Sequence, residues 1–205
     1  MADTETRPRA PDGTIPAPPQ GYGTPYPLQQ SWAVLSIGGT LLGLAALFTG
    51  LGLSPAFPAG PTAGRIAPGT AWLLFLGGIG GTVVGHELVH GLAYRYYGYD
   101  VSFTADLLNG TFTTAARGQL HTRAEAIRIA LMPLLTVTPV ALVLVVAPLL
   151  ELSLLGVVVL TVNVAGSVSD LLLTWRLRSL PARSLLCDGD ATYVYEPADK
   201  LRGQK

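Results

Sequence analysis

The sequence predicts an all-α integral membrane protein, a bundle of four transmembrane helices with a small β-hairpin on the cytoplasmic side. Of the 205 residues, 49% are hydrophobic and only 13% are charged, a balance typical of membrane proteins. Four apolar runs reach the roughly 20 residues that a helix needs to cross a bilayer. Between the second and third runs, apolar and β-branched stretches flank Asn109-Gly110, a dipeptide that favours a hairpin turn.

Residues 1–30 precede the first apolar run and contain seven prolines, three glycines and few large aliphatic side chains. Such a segment cannot bury enough apolar surface to offset the entropy of ordering, so we expect a disordered, proline-rich cytoplasmic tail. The first apolar run is too long for a signal peptide, and we expect it to remain in the mature protein. Residues 181–205 are expected to form a second cytoplasmic tail, in which Cys187 is a free thiol.

The membrane domain is expected to occupy residues 31–180. Its predicted spans are Trp32–Leu53, Ala71–Ala93, Ile127–Leu150 and Leu152–Trp175. Because Pro133 and Pro139 fall inside the third span, we expect that helix to be kinked. Of the 13 Lys and Arg residues, 12 lie before the first span, between the second and third spans (counting Arg128 at the edge of the third) or after the fourth span. The positive-inside rule therefore predicts a multi-pass protein of the cell membrane with both termini in the cytoplasm.

The hairpin is predicted at about residues 99–115, at the cytoplasmic surface of the membrane. An irregular connecting loop is the alternative for this segment. His121, which follows the hairpin in a basic loop and has no partner at ligand spacing, is expected to be a solvated surface residue.

The segment His86-Glu87-Leu88-Val89-His90 lies inside the second span and is the most informative in the chain. Positions four apart share one face of a helix, so His86 and His90 can present imidazole nitrogens to a single metal ion. Glu87 points beside that position and could accept a proton from a water molecule at the ion. The segment therefore predicts a zinc site.

Asp170, on the fourth span, is the other ionisable side chain predicted well inside the membrane. His86 lies about 13 Å and Asp170 about 9 Å from the cytoplasmic ends of their helices, so the two fall at similar depths. Two histidines and one carboxylate form a typical catalytic zinc set, which makes Asp170 the predicted third ligand. The alternative is a structural contact in which Asp170 accepts a hydrogen bond from a neighbouring helix.

Two further features of the spans bear on this site. Asn163 lies seven residues before Asp170 on the same helix face, and its amide could bind a substrate backbone or stabilise an oxyanion. Gly77, Gly81 and Gly85 recur every four residues, a pattern that lets membrane helices approach closely. We expect this row to pack against the fourth span, although general helix packing would explain it equally well.

These residues resemble the site-2 proteases, and most of all a short branch described as "putative zincin peptidases". The resemblance covers about residues 70–190 and rests on the segments 85–91 (GHELVHG) and 163–170 (NVAGSVSD). It implies zinc ligation by two histidines and an aspartate, a glutamate base, and an asparagine that assists, which correspond to His86, His90, Asp170, Glu87 and Asn163. Two positions depart from the site-2 protease pattern, because Leu171 replaces a glycine after the aspartate and Gly166 stands where proline is common.

The resemblance implies a zinc-dependent intramembrane endopeptidase whose partners are the lipid bilayer and a membrane protein substrate. A substrate helix must unwind before cleavage, and the hairpin could hold the unwound strand through main-chain hydrogen bonds. The candidate substrate-binding residues are Asn109, Gly110, Thr111 and Phe112. The formal net charge is zero, and no stretch concentrates enough Lys and Arg to neutralise a phosphate backbone, which argues against nucleic acid as a partner. The sequence leaves the oligomeric state open.

Three alternatives are considered beside this function. The first is a metal-binding membrane scaffold or regulator without proteolytic activity, which would need the ligands but not Glu87. The second is a zincin of the heat-shock membrane protease type, for which Glu151 and Glu196 are poorly placed as third ligands. Transport is the weakest alternative, because one polar cluster near one face does not outline a path across the bilayer.

Overall fold

Helices dominate the computed structural model, which describes residues 15–29, 31–55, 66–106 and 111–199. Its helices are α1 (Trp32–Leu53), α2 (Pro68–Tyr96), α3 (Arg123–Val145), α4 (Leu150–Gly166) and α5 (Val168–Ser179). Four helical segments are long and apolar enough to cross a membrane, with α4 and α5 together forming the last of them. The prediction of four span-length apolar helices is confirmed.

The fourth predicted span differs from the observed helices in an informative way, because it corresponds to both α4 and α5. The first helix has the predicted bounds, and α2 extends a few residues beyond its prediction at both ends. The fourth predicted span is divided at Ser167 into α4 and α5, although helical bonds continue across it, from Ser167 N–H to the Asn163 carbonyl and from Leu171 N–H to the Ser167 carbonyl. Asp170 lies in the first turn of α5.

Short antiparallel strands complete the fold. They are β1 (Tyr26–Pro27), β2 (Ser102–Asp106), β3 (Thr111–Ala115), β4 (Leu120–Thr122), β5 (Leu185–Asp188) and β6 (Thr192–Tyr195). Strands β2 and β3 pair with each other, as the predicted hairpin requires, whereas the other four form one sheet in the order β1-β6-β5-β4. The described chain divides into two units, which we call the helical unit (31–55, 66–89 and 131–171) and the sheet unit (15–29, 90–106, 111–130 and 172–199).

The helical unit is held together by small residues at helix contacts. Its buried core comprises Ala46, Ala141, Val145, Val157 and Leu160. Gly156 lies so close to the α3 backbone at Val145 that an added Cβ would overlap it. Close approach of this kind is how membrane helices gain packing energy when lipid and protein are equally apolar.

The predicted glycine row does not make the predicted helix contact. An added Cβ at Gly77, Gly81 or Gly85 would meet nothing within 4 Å, whereas one at Gly78 would lie 2.9 Å from Val158 of α4. Helix α2 does contact α4, as the spacing of its glycines predicts. The contact is made by Gly78, one residue along from Gly77 and on the neighbouring face of α2. The row itself lines a cavity, described below.

The sheet unit includes segments at both ends of the chain that the sequence had suggested were tails. Leu186 and Val194 pair across β5 and β6 and are both fully buried, together with Leu177 and Ala126. Strand β1, which lies within the segment predicted to be disordered, pairs with β6. Cys187 is accordingly a buried strand residue rather than part of a polar tail.

His121 also differs from its prediction as a solvated surface residue. It lies on β4, is only 2% exposed, and its ring meets the rings of Tyr94 and Tyr99 edge to face at 5.9 and 5.8 Å. Its strand pairs with β5, so packing against this sheet removes the imidazole from solvent.

Candidate metal centre

Three side chains of α2 form a cluster of potential metal ligands. One ligand atom each from His86, Glu87 and His90 lie within 4.8 Å of one another. Both imidazoles are buried, at 8% exposure, and Glu87 is half-buried. The one-turn spacing that motivated the sequence prediction therefore directs both imidazoles toward one small volume, where they are protected from solvent.

Asp170 lies beside the first of these histidines. Its Oδ2 is 3.2 Å from Nε2 of His86. Two ligands about 2.0–2.1 Å from one tetrahedral ion are roughly 3.3 Å apart, so this separation suits a shared metal. The cluster within 4.8 Å contains Glu87 where the sequence predicts Asp170.

The amide of Asn163 fixes the orientation of His86. Its Oδ1 lies 3.0 Å from His86 Nδ1, and its Nδ2 donates to Thr138 Oγ1 at 3.1 Å and, more weakly, to the Pro133 carbonyl at 3.4 Å. Because the amide nitrogen is turned toward these acceptors, its oxygen must accept from Nδ1 of His86. The buried amide, 1% exposed, thereby selects one imidazole tautomer.

This tautomer has a direct consequence for the pair formed by His86 and Asp170. With Nδ1 protonated, a neutral His86 directs the lone pair of Nε2 at a carboxylate oxygen, which is itself an acceptor. Two acceptors 3.2 Å apart in a part-buried site need a cation between or beside them, either a proton on Nε2 or a metal ion. The residues present therefore fit a metal.

His90 is oriented in the same way by a main-chain group. Its Nδ1 lies 3.0 Å from the carbonyl oxygen of Ile129 on α3. A carbonyl oxygen can only accept, so Nδ1 carries the proton and the lone pair is on Nε2. Metal-binding histidines in proteins characteristically donate their second N–H to such an acceptor. Both histidines thus have the protonation pattern of Nε2 ligands.

A cavity of about 130 Å³ adjoins the pair formed by His86 and Asp170. Its lining includes Glu87, Asn163, Ser169 and Asp170. A space of this size and polarity can hold several water molecules, which hydrolytic chemistry requires. A second cavity of about 360 Å³, which is lined mainly by apolar residues and by the glycine row, shares Thr82 and His86 with it.

The hairpin packs against α2 immediately after the second histidine. An added Cβ at Gly91 would lie 2.6 Å from Cζ of Phe103 on β2, so only glycine lets this ring approach the helix. Phe112, a predicted substrate-binding residue, stacks on Phe103 with ring centroids 6.0 Å apart. Thr111 begins β3, and Asn109 and Gly110 lie outside the described residues. The role of these four in substrate binding stays a prediction.

Thr138 and the Ile129 carbonyl are parts of the site that the sequence analysis did not identify. A threonine inside a helix usually bonds its own helix backbone, so the sequence pattern gives no reason to connect Thr138 with Asn163. The carbonyl of Ile129 is a main-chain group, which every residue type has, so the residue at that position gives no indication of its role. The roles of the predicted site residues stay predictions.

The chain also matches a known protein family. A family described as "Putative zincin peptidase" matches residues 79–185, just over half of the chain. The matched segment includes α2 from before His86 and extends through α5 beyond Asp170. The chain has no significant match among curated proteins and none among solved structures.

Proposed function

The chain belongs to the putative zincin peptidase family, and from this we propose that it is a zinc-dependent endopeptidase acting on membrane or membrane-proximal protein segments. Family membership indicates a zinc metallopeptidase, and four helices are suited to spanning a membrane. The observation that carries the proposal is the contact of His86 Nε2 with Asp170 Oδ2 at 3.2 Å, while Nδ1 is held by Asn163.

We assign His86, His90 and Asp170 as the zinc ligands. Zinc held by this set would supply a Lewis acid for the scissile carbonyl and would lower the pKa of a water molecule toward 7. The two imidazoles donate their Nδ1 protons to Asn163 and to the Ile129 carbonyl, and so keep both Nε2 atoms as ligands. This outer set of hydrogen bonds holds the ligands in place before the substrate arrives.

Glu87 is assigned as the general base and acid. It lines the cavity of about 130 Å³ next to His86 and is not needed to complete a set of two imidazoles and a carboxylate. Its carboxylate would accept a proton from water as the scissile carbonyl is attacked, and would then deliver that proton to the leaving amine nitrogen. Asn163 acts by positioning His86, and contact of its amide with substrate remains a separate prediction.

A relation to the site-2 proteases is part of the proposal. It rests on the segments 85–91 and 163–170, which combine the two histidines and the glutamate with a later asparagine and aspartate. Gly166, which stands where those proteases often have proline, is the last residue of α4. Glycine and proline are both unfavourable inside a helix, so this difference in sequence keeps a poor helix former at the position.

A membrane protein substrate is proposed because the candidate catalytic residues lie in helices suited to a membrane. We propose that the chain is a multi-pass protein of the cell membrane, with both termini and the hairpin on the cytoplasmic side. Strands β2 and β3 would bind an unwound substrate strand at their edge through main-chain hydrogen bonds. Cleavage that continued unchanged after deletion of Asn109 and Gly110 would remove the hairpin from this proposal.

A second candidate function is metal binding without proteolysis, in a scaffold or regulator. The small size of the cavity at His86, about 130 Å³, favours it, because pockets for substrates are usually about 300 Å³ or larger. A peptidase must therefore enlarge this space, or use the adjoining cavity of about 360 Å³ as well, when a substrate enters. The two functions differ in their need for Glu87.

Replacement of Glu87 by glutamine separates the two functions. The amide keeps the size of the side chain but cannot accept the proton, so we expect Glu87→Gln to retain zinc and to lose about 100-fold or more of its turnover. Zinc content is measured on the purified protein, and turnover as accumulation of uncleaved membrane proteins in cells that carry only the variant. If the same proteins are cleaved at the same rate in wild type and variant, the peptidase assignment is wrong.

A further inference from the structure

Pro133 lies inside α3 and its side chain is fully buried. A proline in a helix interior has no N–H to donate to the carbonyl four residues earlier, and its ring displaces that carbonyl. The residue four positions before Pro133 is Ile129. The sequence of α3 therefore removes the usual helical donor from the Ile129 carbonyl.

That carbonyl is the group that accepts from His90. The distance from His90 Nδ1 to the Ile129 oxygen is 3.0 Å. Ile129 is 2% exposed and His90 is 8% exposed, so water has little access to either partner. An alanine at position 133 would provide an N–H that competes with His90 for this oxygen, in the ordinary helical geometry.

We propose that Pro133 is a positioning residue of the metal centre. By withholding an N–H from Ile129, it reserves that carbonyl for His90 and so keeps the His90 lone pair on Nε2. This inference rests on the proposed function, because it takes His90 to be a zinc ligand. The carbonyl of Pro133 itself lies 3.4 Å from Nδ2 of Asn163, so the same residue supports the amide that orients His86.

Two replacements at position 133 separate the missing N–H from the size of the side chain. Pro133→Ala restores the N–H and also removes the buried ring. Lactic acid at position 133, the α-hydroxy analogue of alanine introduced by nonsense suppression, has the same small side chain but no N–H. We expect zinc affinity to fall about 10- to 100-fold in Pro133→Ala and to recover largely with lactic acid. Equal affinities in these two proteins would overturn the proposal.

Pro139 provides a matched control on the same helix. It also lies inside α3, six residues further along, and it is exposed. Pro139→Ala makes the same chemical change and restores a donor to the Leu135 carbonyl, which is not assigned to the metal centre. Zinc affinity in Pro139→Ala is expected to equal that of the wild type. A fall equal to that in Pro133→Ala would show a general effect on the helix and would overturn the proposal.

The His90 tautomer gives a readout that needs neither zinc nor activity. The chain contains three histidines, so ¹⁵N-histidine labelling of the metal-free protein gives few signals to assign. At a pH where His90 is neutral, we expect it to be protonated at Nδ1 in the wild type and in the lactic acid protein. Pro133→Ala should show a larger share of the Nε2-protonated form. Protonation at Nε2 in the wild type would overturn the proposal, whereas a wild type that binds no zinc would contradict the proposed function instead.

Discussion

Removing the amide of Asn163 is expected to weaken zinc binding without removing a ligand. In Asn163→Leu the side chain keeps the number and branching of its heavy atoms but loses the acceptor for His86 Nδ1 and the donor to Thr138. Because Asn163 is 1% exposed, water cannot easily replace the lost acceptor. The imidazole is then free to change tautomer or to rotate, and either change removes Nε2 from the metal.

The size of the effect follows from this burial. A buried donor left without an acceptor costs about 1–3 kcal/mol, and loss of a hydrogen bond to a metal-binding histidine typically costs 10- to 100-fold in affinity. The two ranges agree, since tenfold corresponds to about 1.4 kcal/mol. We therefore expect the zinc dissociation constant of Asn163→Leu to rise about 10- to 100-fold.

Competition with a chelating dye, on purified protein in detergent, measures this dissociation constant. Thr161→Val is the control, because the Thr161 hydroxyl donates to the Val157 carbonyl within the same helix and is not part of the site. Thr161→Val is expected to bind zinc as the wild type does. If Asn163→Leu also binds zinc with wild-type affinity, the hydrogen bond to Asn163 does not position His86 and the reasoning fails.

Two other predictions concern stability. An added Cβ at Gly156 would overlap the α3 backbone, so Gly156→Ala should destabilise the protein by about 1–3 kcal/mol. At Gly77 the added Cβ meets nothing, so Gly77→Ala should be neutral or slightly stabilising. Equal thermal unfolding midpoints of the two variants in detergent would contradict the packing of α3 against α4. Burial raises the pKa of the Cys187 thiol from 9.0 to about 11. The unfolded thiol therefore ionises first, and the stabilising contribution is full below pH 9.0 and is lost as the pH rises toward 11. Thermal unfolding of Cys187→Ala should accordingly show a shallower loss of stability over this pH range than the wild type, and parallel curves would argue against the raised pKa.

The helices and the one-turn spacing of His86 and His90 on α2 could be predicted because both depend on local sequence. Apolar runs of about 20 residues and a one-turn spacing of histidines are properties of short segments. Asp170 was identified differently, from the cost of a carboxylate in hydrocarbon. The structure does bring Asp170 next to His86, even though it divides the predicted fourth span at Ser167.

The four-stranded sheet was missed because its pairings join distant parts of the chain. Strand β1 is two residues long and pairs with β6, more than 160 residues later. Local composition cannot show such a pairing, and a proline-rich segment resembles a disordered tail. Part of the signal was present, because the β-branched and aromatic residues of β6 follow Gly189-Asp190, as is typical of a hairpin.

The residues around the candidate metal ligands could be predicted only in part. The periodicity of the glycines could indicate a special face of α2, but it could not show that Gly78 rather than Gly77 meets α4. Asn163 was found from its spacing to Asp170, yet its partners Thr138 and Pro133 depend on how α3 packs beside α4. Side-chain periodicity gives faces of helices, whereas hydrogen-bond partners require the packed structure.

Zinc coordination in wild type and in Asp170→Asn tests the central claim most directly. X-ray absorption at the zinc edge, together with metal content, reports the number of bound ions and the identity of their ligands. We expect about one zinc per wild-type chain, with two imidazole nitrogens and carboxylate oxygen at about 2.0–2.2 Å, and a clear loss of bound zinc in Asp170→Asn. Stoichiometric zinc with unchanged coordination in Asp170→Asn, or a wild type that binds no zinc, would contradict a metal centre built from His86, His90 and Asp170.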